Sequence, residues 1–209
     1  VRDSGWIQIF SENSQEAYDN MIQAVRIAEH MDVRLPVMVT TDGFIISHGL
    51  EAISLLEDKE VQDFIGPYKA AYSLLDVEQP ITVGGLDFTD FYFEHRRQTA
   101  EAMQNAKKVI LDVGREFGEK FGRSYGFFEG YKLEDAEIAL VLLGSTAGTA
   151  RVAVDQLRAA GVKCGLLKLR VFRPFPAAEL AEALKHLKAV AVMDRSDSLS
   201  TAGGPLFME

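Results

Sequence analysis

The chain has 209 residues, 47% of them hydrophobic and 25% charged, which is enough to build a sizeable core in one large domain or two small ones. Its net charge of −9 argues against nucleic acid and anionic membrane surfaces as partners, and its apolar runs fall short of the roughly 18 residues that cross a membrane. The single cysteine excludes a disulfide framework or a cysteine-ligated cluster built by this chain alone, and it fits a reducing cytoplasm.

The first predicted elements form a βαβ unit. Residues 6–10 alternate enough to be a strand. Residues 11–31 follow as a helix with Ser14 as the expected N-cap, because its hydroxyl can accept a hydrogen bond from a free amide. Apolar residues at helical spacing predict the buried face of this helix: Ala17, Met21, Ala24, Val25 and Ala28. A strand at 36–41 comes next, so the two strands are expected to be parallel.

Polar residues directly follow the strand at 36–41. That strand is apolar on both faces, which is typical of a central position in a parallel sheet, and open α/β sheets bind ligands beyond the carboxyl ends of such strands. Asp42, Ser47 and His48 are therefore candidates for a catalytic cleft. The alternative is structural: Asp42 and Gly43 make a turn, Ser47 caps a helix and His48 lies in its first turn. The sequence physics leaves both interpretations open.

The middle of the chain is predicted to be a long connector and then a long helix. Residues 57–90 are interrupted by Pro67, Pro80 and a glycine pair, and their aromatic residues are expected to lie on other surfaces. A connector of this length favours two structural units. From 89 to 121, apolar residues recur at steps of three or four and predict one helix: Met103, Ala106, Ile110, Val113, Phe117 and Phe121.

The last third has the pattern of a doubly wound α/β domain. Three apolar segments, 136–144, 162–172 and 188–194, are interpreted as strands, the first of them buried. A helix between the first two is expected to begin with Ser145 as its cap and to end at Gly161. A second helix separates the last two strands, as a doubly wound domain requires.

The turn "GSTAGT" at 144–149 lies between a strand and a helix, where free backbone amides can hold a phosphate. Ser145 and Thr146 are the candidate phosphate-binding residues. Because no lysine follows the turn and a third glycine is missing, it matches neither a Walker loop nor a dinucleotide fingerprint. A tight turn with a serine cap is the interpretation that we favour.

Other chemically capable side chains of the last third are expected to be structural. Cys164 lies in a strand and is interpreted as a small buried apolar residue. Arg170 and Arg173 stand beside phenylalanines at a strand end, where they would either bind an anion or pin a neighbouring loop or subunit, and we favour the second role. The four histidines of the chain are not spaced as metal ligands, so no metal site is predicted.

Several stretches carry a family resemblance that covers nearly the whole chain: "RDSGWIQIFSENSQEAYD", "PVMVTTDGFIISH", "EDAEIALVLLGSTAGTARVAVDQLRAAGVKCGLLKLRVFRPFP", "KAVAVMDRSDS" and "GGPLF". In order and spacing they resemble the alpha subunit of pyruvate:ferredoxin oxidoreductase, one of the 2-oxoacid:ferredoxin oxidoreductases. The stretch "DGFIISH" favours the pyruvate branch over the branch for larger 2-oxoacids.

The resemblance implies an activity and a domain plan. Thiamine diphosphate with Mg decarboxylates the 2-oxoacid, electrons leave through iron–sulfur clusters to ferredoxin, and coenzyme A takes the acyl group. Residues 1–57 would end a pyrimidine-type thiamine domain, 58–133 would form a connector with a long helix, and 134–209 would form a domain like the transketolase C-terminal domain. Charge supports two regions, because residues 136–209 have a balance of +2 (9 basic, 7 acidic) and residues 1–135 a balance of −11 (13 basic, 24 acidic).

Parts of the family pattern have no counterpart in this sequence, namely the Tyr-Pro-Ile-Thr-Pro stretch, the Glu that activates the aminopyrimidine, and the substrate-binding Thr and Arg. The sequence also begins with valine, so we expect the C-terminal portion of an alpha subunit that holds no cofactor and is inactive alone. Partner chains would then carry the cofactors. The stretch "TTDGFIISH" would face the rest of its domain or a subunit interface, and we favour this structural role over a chemical role for Asp42 or His48. The alternatives are a non-catalytic scaffold or docking module, and a nucleotide-binding α/β domain that uses "GSTAGT".

Overall fold

A computed structural model describes residues 1–199 and 201–209. Its elements are, in chain order, β1 (Ile7–Phe10), α1 (Ser14–Glu29), β2 (Val37–Thr40), α2 (Asp58–Ile65), α3 (Tyr92–Phe121), β3 (Phe128–Tyr131), β4 (Ile138–Leu143), α4 (Thr146–Ala159), β5 (Cys164–Leu169), β6 (Val171–Arg173), α5 (Ala177–Leu184) and β7 (Ala189–Val192). The strands form two sheets, ordered β2-β1-β6 and β3-β5-β4-β7. Within the described ranges, no helix has both the length and the apolar composition that a membrane crossing requires.

The first sheet is centred on β1. Strands β1 and β2 run parallel, with Ile7 beside Val37, and β6 pairs antiparallel with the other edge of β1. Strand β1 is mostly buried, whereas β2 is half-buried at the edge of the sheet. The expected central position of β2 is therefore wrong for the described part of the chain. An apolar strand sequence indicates that both faces of the strand are covered, but it does not indicate whether one or both edges of the strand are paired.

Helix α1 buries polar as well as apolar residues. Its buried face recurs at helical spacing and consists of Glu16, Asp19, Asn20, Ile22, Gln23, Ala24 and Ile27. The predicted apolar stripe is only partly right, because Ala24 is buried but Met21 is 55% exposed. The cap also differs from the prediction: the side chain of Asn13 accepts the amide of Glu16, and Ser14 is the first helical residue. Both residue types cap helices well, so the sequence does not choose between adjacent candidates.

Helix α3 confirms the long helix that was predicted from periodicity. It has 30 residues and ends at Gly122, whose φ of 76° is the left-handed conformation common after a helix. Ile110, Val113 and Phe117 on its inner face are buried in one core with β1 and α1. The connector contributes to this core through α2, where Phe64 meets Phe117 edge-on at 5.3 Å.

The second sheet contains the strands predicted for the last third and one more. Strands β4 and β5 are parallel, with Ile138 beside Cys164, and β7 pairs parallel with the other edge of β4. Cys164 is buried, as expected of a small apolar residue. Strand β3, not predicted, pairs antiparallel with β5. The single strand predicted at 162–172 is interrupted at Arg170, so that β5 belongs to the second sheet and β6 to the first.

An ionic cluster, defined as Glu12, Glu16, Glu129, Arg151 and Lys168, joins the two sheets, and its first two carboxylates and its lysine are buried. The Nζ of Lys168 lies 2.9 Å from Glu12, 3.3 Å from Glu16 and 3.0 Å from Glu129. Arg151 of α4 contacts both Glu12 and Glu129. The side chains of Lys168, Glu12 and Glu16 are 8%, 7% and 4% exposed. The interface between the two sheets is therefore charged at its centre.

Arg170 extends this polar interface beside the ionic cluster. Its guanidinium donates to Oδ1 of Asn20 at 2.8 Å, to Oε1 of Gln23 at 3.2 Å and to the carbonyl of Gly126 at 3.0 Å. Burial lowers the pKa of Arg170 to about 10. Arg170 thus pins the loop that precedes β3, in agreement with the role that we favoured. Arg173 likewise holds the N-terminal segment, by donating to a backbone carbonyl at 3.2 Å.

Candidate functional site

A cleft of about 340 Å³ lies where the carboxyl ends of strands from both sheets come together. Strands β1 and β4 reach it with their last residues, and the segments that follow β2 and β7 complete it. The lining is mostly apolar with a few charged groups, and the residues that matter below are Phe10, Asp42, Leu143, Phe172, Asp194 and Arg195. Open α/β proteins bind their ligands at this edge of the sheet, so the cleft is the candidate functional site.

Asp42 links the two halves of the cleft. Its Oδ2 accepts a hydrogen bond from the backbone N–H of Ser145 at 2.7 Å, and its Oδ1 lies 2.5 Å from Nη1 of Arg195. The carboxylate therefore sits at the N-terminus of α4, where the helix dipole favours a negative charge. Because both of its oxygens are paired, Asp42 acts here as a contact between the segments that follow β2, β4 and β7.

Gly144 makes this close approach possible. It directly follows β4 and has φ +74°, a left-handed backbone conformation that residues with side chains rarely adopt. A Cβ atom at this position would lie 3.0 Å from Oδ2 of Asp42. Gly144, the first residue of "GSTAGT", therefore leaves space for the carboxylate of Asp42 from the same chain.

The proposed phosphate site of Ser145 and Thr146 coincides with this contact. The amide of Ser145 is engaged by Asp42, and the amides of Ala147 and Gly148 donate at 3.2 Å to the carbonyls of Gly144 and Ser145. Asp42 thus takes the position that a phosphate oxygen would need, which favours the structural interpretation of the turn. Ser145 is the N-cap residue of α4, as expected, although its side chain makes no capping hydrogen bond.

His48 lies apart from the cleft that Asp42 lines. It is exposed, its Nδ1 is 2.9 Å from Oγ of Ser47, and its ring stacks on Phe44 at 4.8 Å between centroids. The amide of Phe44 donates to the same Ser47 hydroxyl at 2.9 Å. Residues 43–48 form a turn, and the helix expected after Ser47 is absent from this segment. The two candidate catalytic residues therefore have separate surroundings.

Asp194 and Arg195 were not singled out as site residues from the sequence. The carboxylate of Asp194 accepts the amides of Leu206 and Phe207 at 2.9 and 3.0 Å, which fixes the segment that forms one wall of the cleft. Arg195 supplies the cation that pairs with Asp42. The available signal was their position, because Asp194 ends the last predicted strand and Arg195 directly follows it, so both reach the same sheet edge.

A metal ion or an iron–sulfur cluster needs several ligating side chains brought together in one place. Within residues 1–199 and 201–209, no group of three or more His, Cys, Asp and Glu side chains is placed to hold a metal ion. The lone Cys164 is buried, and a cluster takes thiolates from several cysteines. The Ser145 amide at the α4 N-terminus is already paired with Asp42, so this helix terminus does not fit a diphosphate, and the single cysteine does not fit an iron–sulfur cluster.

Replacing Asp42 by alanine is expected to lower the free energy of unfolding by about 1–3 kcal/mol, because the amide of Ser145 and the guanidinium of Arg195 lose their partner. Asp42→Asn keeps an acceptor and should lose less. His48→Gln is expected to stay within about 0.5 kcal/mol of the parent, because His48 is exposed. Urea denaturation of the three variants measures the difference. Equal losses for Asp42→Ala and His48→Gln would contradict the assignment.

The fold and the cleft define the class of the protein: an α/β protein whose parallel strands direct their carboxyl ends into one cleft. A family model described as pyruvate flavodoxin/ferredoxin oxidoreductase, thiamine diphosphate-binding, matches residues 1–115. A second, described as pyruvate:ferredoxin oxidoreductase core domain II, matches residues 136–209. The chain belongs to the pyruvate:ferredoxin oxidoreductase family, which confirms the family and the α/β fold class expected from the sequence.

Curated relatives of the chain have names that agree with this family assignment. It is 54% identical over 206 residues to the pyruvate synthase subunit PorA of Thermotoga maritima, covering 99% of this chain and 52% of that protein. It is 46% identical over 210 residues to PorA of Methanocaldococcus jannaschii, covering 100% and 54%. It is 44% identical over 203 residues to the ketoisovalerate oxidoreductase subunit VorA of Pyrococcus abyssi, covering 97% and 51%. The chain thus spans about half the length of the curated relatives that it matches.

A solved structure also shares the fold. The 2-oxoglutarate:ferredoxin oxidoreductase from Magnetococcus marinus, solved with 2-oxoglutarate, coenzyme A and succinyl-CoA bound, aligns with a TM-score of 0.56 at 16% identity. The alignment covers 90% of this chain and 34% of that one. At this identity the likeness shows the fold alone.

Proposed function

We propose that the chain is part of the alpha subunit of a 2-oxoacid:ferredoxin oxidoreductase that oxidatively decarboxylates pyruvate to acetyl-CoA and passes the electrons to ferredoxin. The observation that carries the proposal is the 54% identity to a pyruvate synthase subunit over 99% of the chain. Two further relatives named pyruvate synthase subunit PorA are 46% and 42% identical to the chain. The stretch "DGFIISH" points to the same branch.

The cofactors of the proposed reaction belong to the complete complex. Thiamine diphosphate with Mg would perform the decarboxylation, iron–sulfur clusters would carry the electrons, and coenzyme A would accept the acyl group. The description of the family model that matches residues 1–115 includes thiamine diphosphate binding. The described residues offer neither a set of cluster cysteines nor a set of metal ligands, so the clusters and the diphosphate are assigned to partner chains or to parts of the enzyme outside this sequence.

The domain plan proposed for the chain follows the family. Residues 1–57 would complete the thiamine domain, 58–133 would connect, and 134–209 would form the transketolase-like domain. The cleft would then lie between the first and the third of these regions. The proposed complex would work in the cytoplasm, where a single reduced cysteine is stable.

A larger 2-oxoacid is the second candidate substrate. The relatives named ketoisovalerate oxidoreductase subunit VorA reach 44% and 43% identity, beside 43% for a pyruvate synthase subunit from Pyrococcus abyssi. Identity at this level does not separate the two substrates, and the relative at 54% favours pyruvate. A non-catalytic scaffold and a nucleotide-binding domain are weaker alternatives, and the engaged α4 N-terminus counts against the second.

Assembled with its partner subunits, the full-length protein is expected to reduce methyl viologen with pyruvate, coenzyme A and thiamine diphosphate. We expect kcat/KM for pyruvate to exceed that for 2-ketoisovalerate by roughly tenfold or more, because extra methylenes must fit a pocket of fixed size. The 209-residue chain alone should show no turnover. A reversed substrate ratio would assign the complex to the VorA type, and an assembled complex without turnover would support the scaffold alternative.

The same complex separates the two interpretations of His48. If its exposed imidazole only shapes the turn, His48→Gln should leave turnover and subunit association unchanged. A drop in turnover of roughly a hundredfold with association intact would instead assign proton transfer to His48.

A further inference from the structure

The segment between α2 and the first turn of α3, residues 66–93, is here named the connecting arm. Within it, 11 large apolar side chains are between 57% and 90% exposed: Tyr68, Tyr72, Leu74, Leu75, Val77, Val83, Leu86, Phe88, Phe91, Tyr92 and Phe93. No residue of the arm is buried, and Asp76 and Ile81 are half-buried. Soluble proteins rarely expose so many apolar side chains in one continuous segment unless another surface covers them.

Both ends of the connecting arm are fixed to the body of the protein. Before it, Phe64 of α2 packs against Phe117 and Phe121 of α3 at 5.3 and 5.6 Å. Near its end, Oδ2 of Asp87 lies 2.7 Å from Nδ1 of His95 in α3. The arm therefore leaves the first core and returns to it. Between these ends, the ring of Tyr72 lies 5.9 Å from the guanidinium carbon of Arg34, but the apolar side chains of the arm stay mostly exposed.

The apolar area of the connecting arm is large enough for a stable interface. Six of its exposed side chains are aromatic, and a buried aromatic ring removes roughly 150–250 Å² from water. With its aliphatic residues, the arm can bury on the order of 1,000 Å², against roughly 800 Å² for each partner in a standard interface. Tyrosine and phenylalanine are also the residue types enriched at interface centres.

We propose that the connecting arm docks into an apolar groove with a basic rim on a different subunit of the oxidoreductase complex. The arm carries four acidic residues, Asp76, Glu78, Asp87 and Asp90, and one basic residue, Lys69, so its charge is −3. A complementary surface must supply positive charge around its apolar centre. A second copy of this chain is a poor partner, because its own net charge is −9.

The identity of the partner rests on the proposed function, since relatives of this chain are named as subunits. The docking itself is measured by association and not by turnover. An inactive complex that still buries the connecting arm would therefore refute the proposed reaction and leave the docking intact.

Hydrogen–deuterium exchange on the full-length subunit, alone and in the assembled complex, tests which surface covers the connecting arm. Amides of residues 68–91 should exchange at least tenfold more slowly in the complex than in the isolated subunit. Protection already present in the isolated monomer would mean that the arm packs on another part of its own chain. Protection that grows with the concentration of the isolated subunit would mean self-association. Either result would overturn the proposal.

A pair of double variants tests the contribution of the apolar side chains. Leu74→Ser with Leu75→Ser should weaken binding of the full-length subunit to its partner subunits by roughly tenfold or more, because both leucines would leave the groove. The matched control, Val152→Ser with Leu157→Ser, changes two apolar residues of α4 that are 58% and 47% exposed, and should change affinity less than twofold. Unchanged affinity for the arm variant, or equal losses for the two, would refute the proposal.

A charge variant tests the basic rim. Asp76→Asn with Glu78→Gln removes two of the four carboxylates and leaves Asp87 with its histidine. The association rate with the partner subunits should fall several-fold at low salt and lose part of its salt dependence. A faster association would mean that the rim is acidic, which would overturn the charge assignment.

Discussion

Gly114→Ala is expected to destabilise the protein by about 3 kcal/mol, because an added methyl group has no space and overpacked cores are costly to rearrange. Gly114 lies on the buried face of α3, and a Cβ atom there would be 2.0 Å from the carbonyl oxygen of Tyr125. That oxygen belongs to the backbone, so it cannot turn aside as a flexible side chain would. The helix and the segment before β3 would have to separate, and both belong to the first core. Chemical denaturation of the full-length protein measures the loss.

Gly148→Ala is the matched control, since Gly148 also lies in a helix. A Cβ atom at this position would be 3.8 Å from Oε1 of Glu12, an ordinary contact. Alanine should therefore be neutral or stabilise the protein by up to about 1 kcal/mol, because it lowers the entropy of the unfolded chain and favours the helix. Similar losses for the two variants would show that close approach to Tyr125 is not the cause.

Lys168→Met is expected to cost about 3–5 kcal/mol, because it leaves the buried carboxylate of Glu16 without the cation that it contacts in the cluster. Glu12 would keep Arg151 as its remaining cation. Within the ionic cluster, Lys168 is the residue that contacts Glu12, Glu16 and Glu129. Lys163→Met is the control: Lys163 is 62% exposed, lies 3.8 Å from Glu137, and should change stability by less than about 0.5 kcal/mol. Adding Glu12→Gln to Lys168→Met should recover part of the loss. A loss for Lys168→Met no larger than that of the control would refute a stabilising role for the cluster.

The ionic cluster also predicts how stability depends on pH. Burial of its ammonium group opposes charge on Lys168, but Glu16, Glu12 and Glu129 outweigh that effect and raise its pKa. A raised pKa means that the folded state binds the proton more tightly than the unfolded state does. The contribution of Lys168 is therefore complete at neutral pH and is lost as pH rises above about 10, through the folded-state pKa. The parent should lose more stability than Lys168→Met in that range.

Local patterns in the sequence predicted most of the elements. The stripe from Met103 to Phe121 has one period over many turns, so α3 could be read from it directly. The break between β5 and β6 could not, because Arg170 stands within a mostly apolar run and its buried side-chain partners are about 150 positions away in sequence. The buried face of α1 was also misread. Glu16, Asp19 and Gln23 look like solvated residues until the cations that satisfy them are known.

The candidate site, too, could be predicted only in part from local patterns in the sequence. Asp42 and Ser145 were both singled out from the sequence, but as separate features that lie 103 residues apart. Their contact depends on how two sheets are placed, and no local propensity carries that information. Arg195 completes the contact from a third segment. Residue types at strand ends were thus predictable, whereas the pairing among them required the fold.

One continuous segment forms β5 in the second sheet and β6 in the first, and this shared segment couples the unfolding of the two sheets. Strand β6 is an outer strand of the first sheet, although its sequence lies inside the match to core domain II. The boundary suggested by the two family matches, between residues 115 and 136, therefore does not separate two independent folding units. A fragment cut there would leave β1 with an unpaired edge on one side and β6 without a sheet on the other. Melting of either sheet removes support from the other, so the transition should be shared by both rather than occur in two steps.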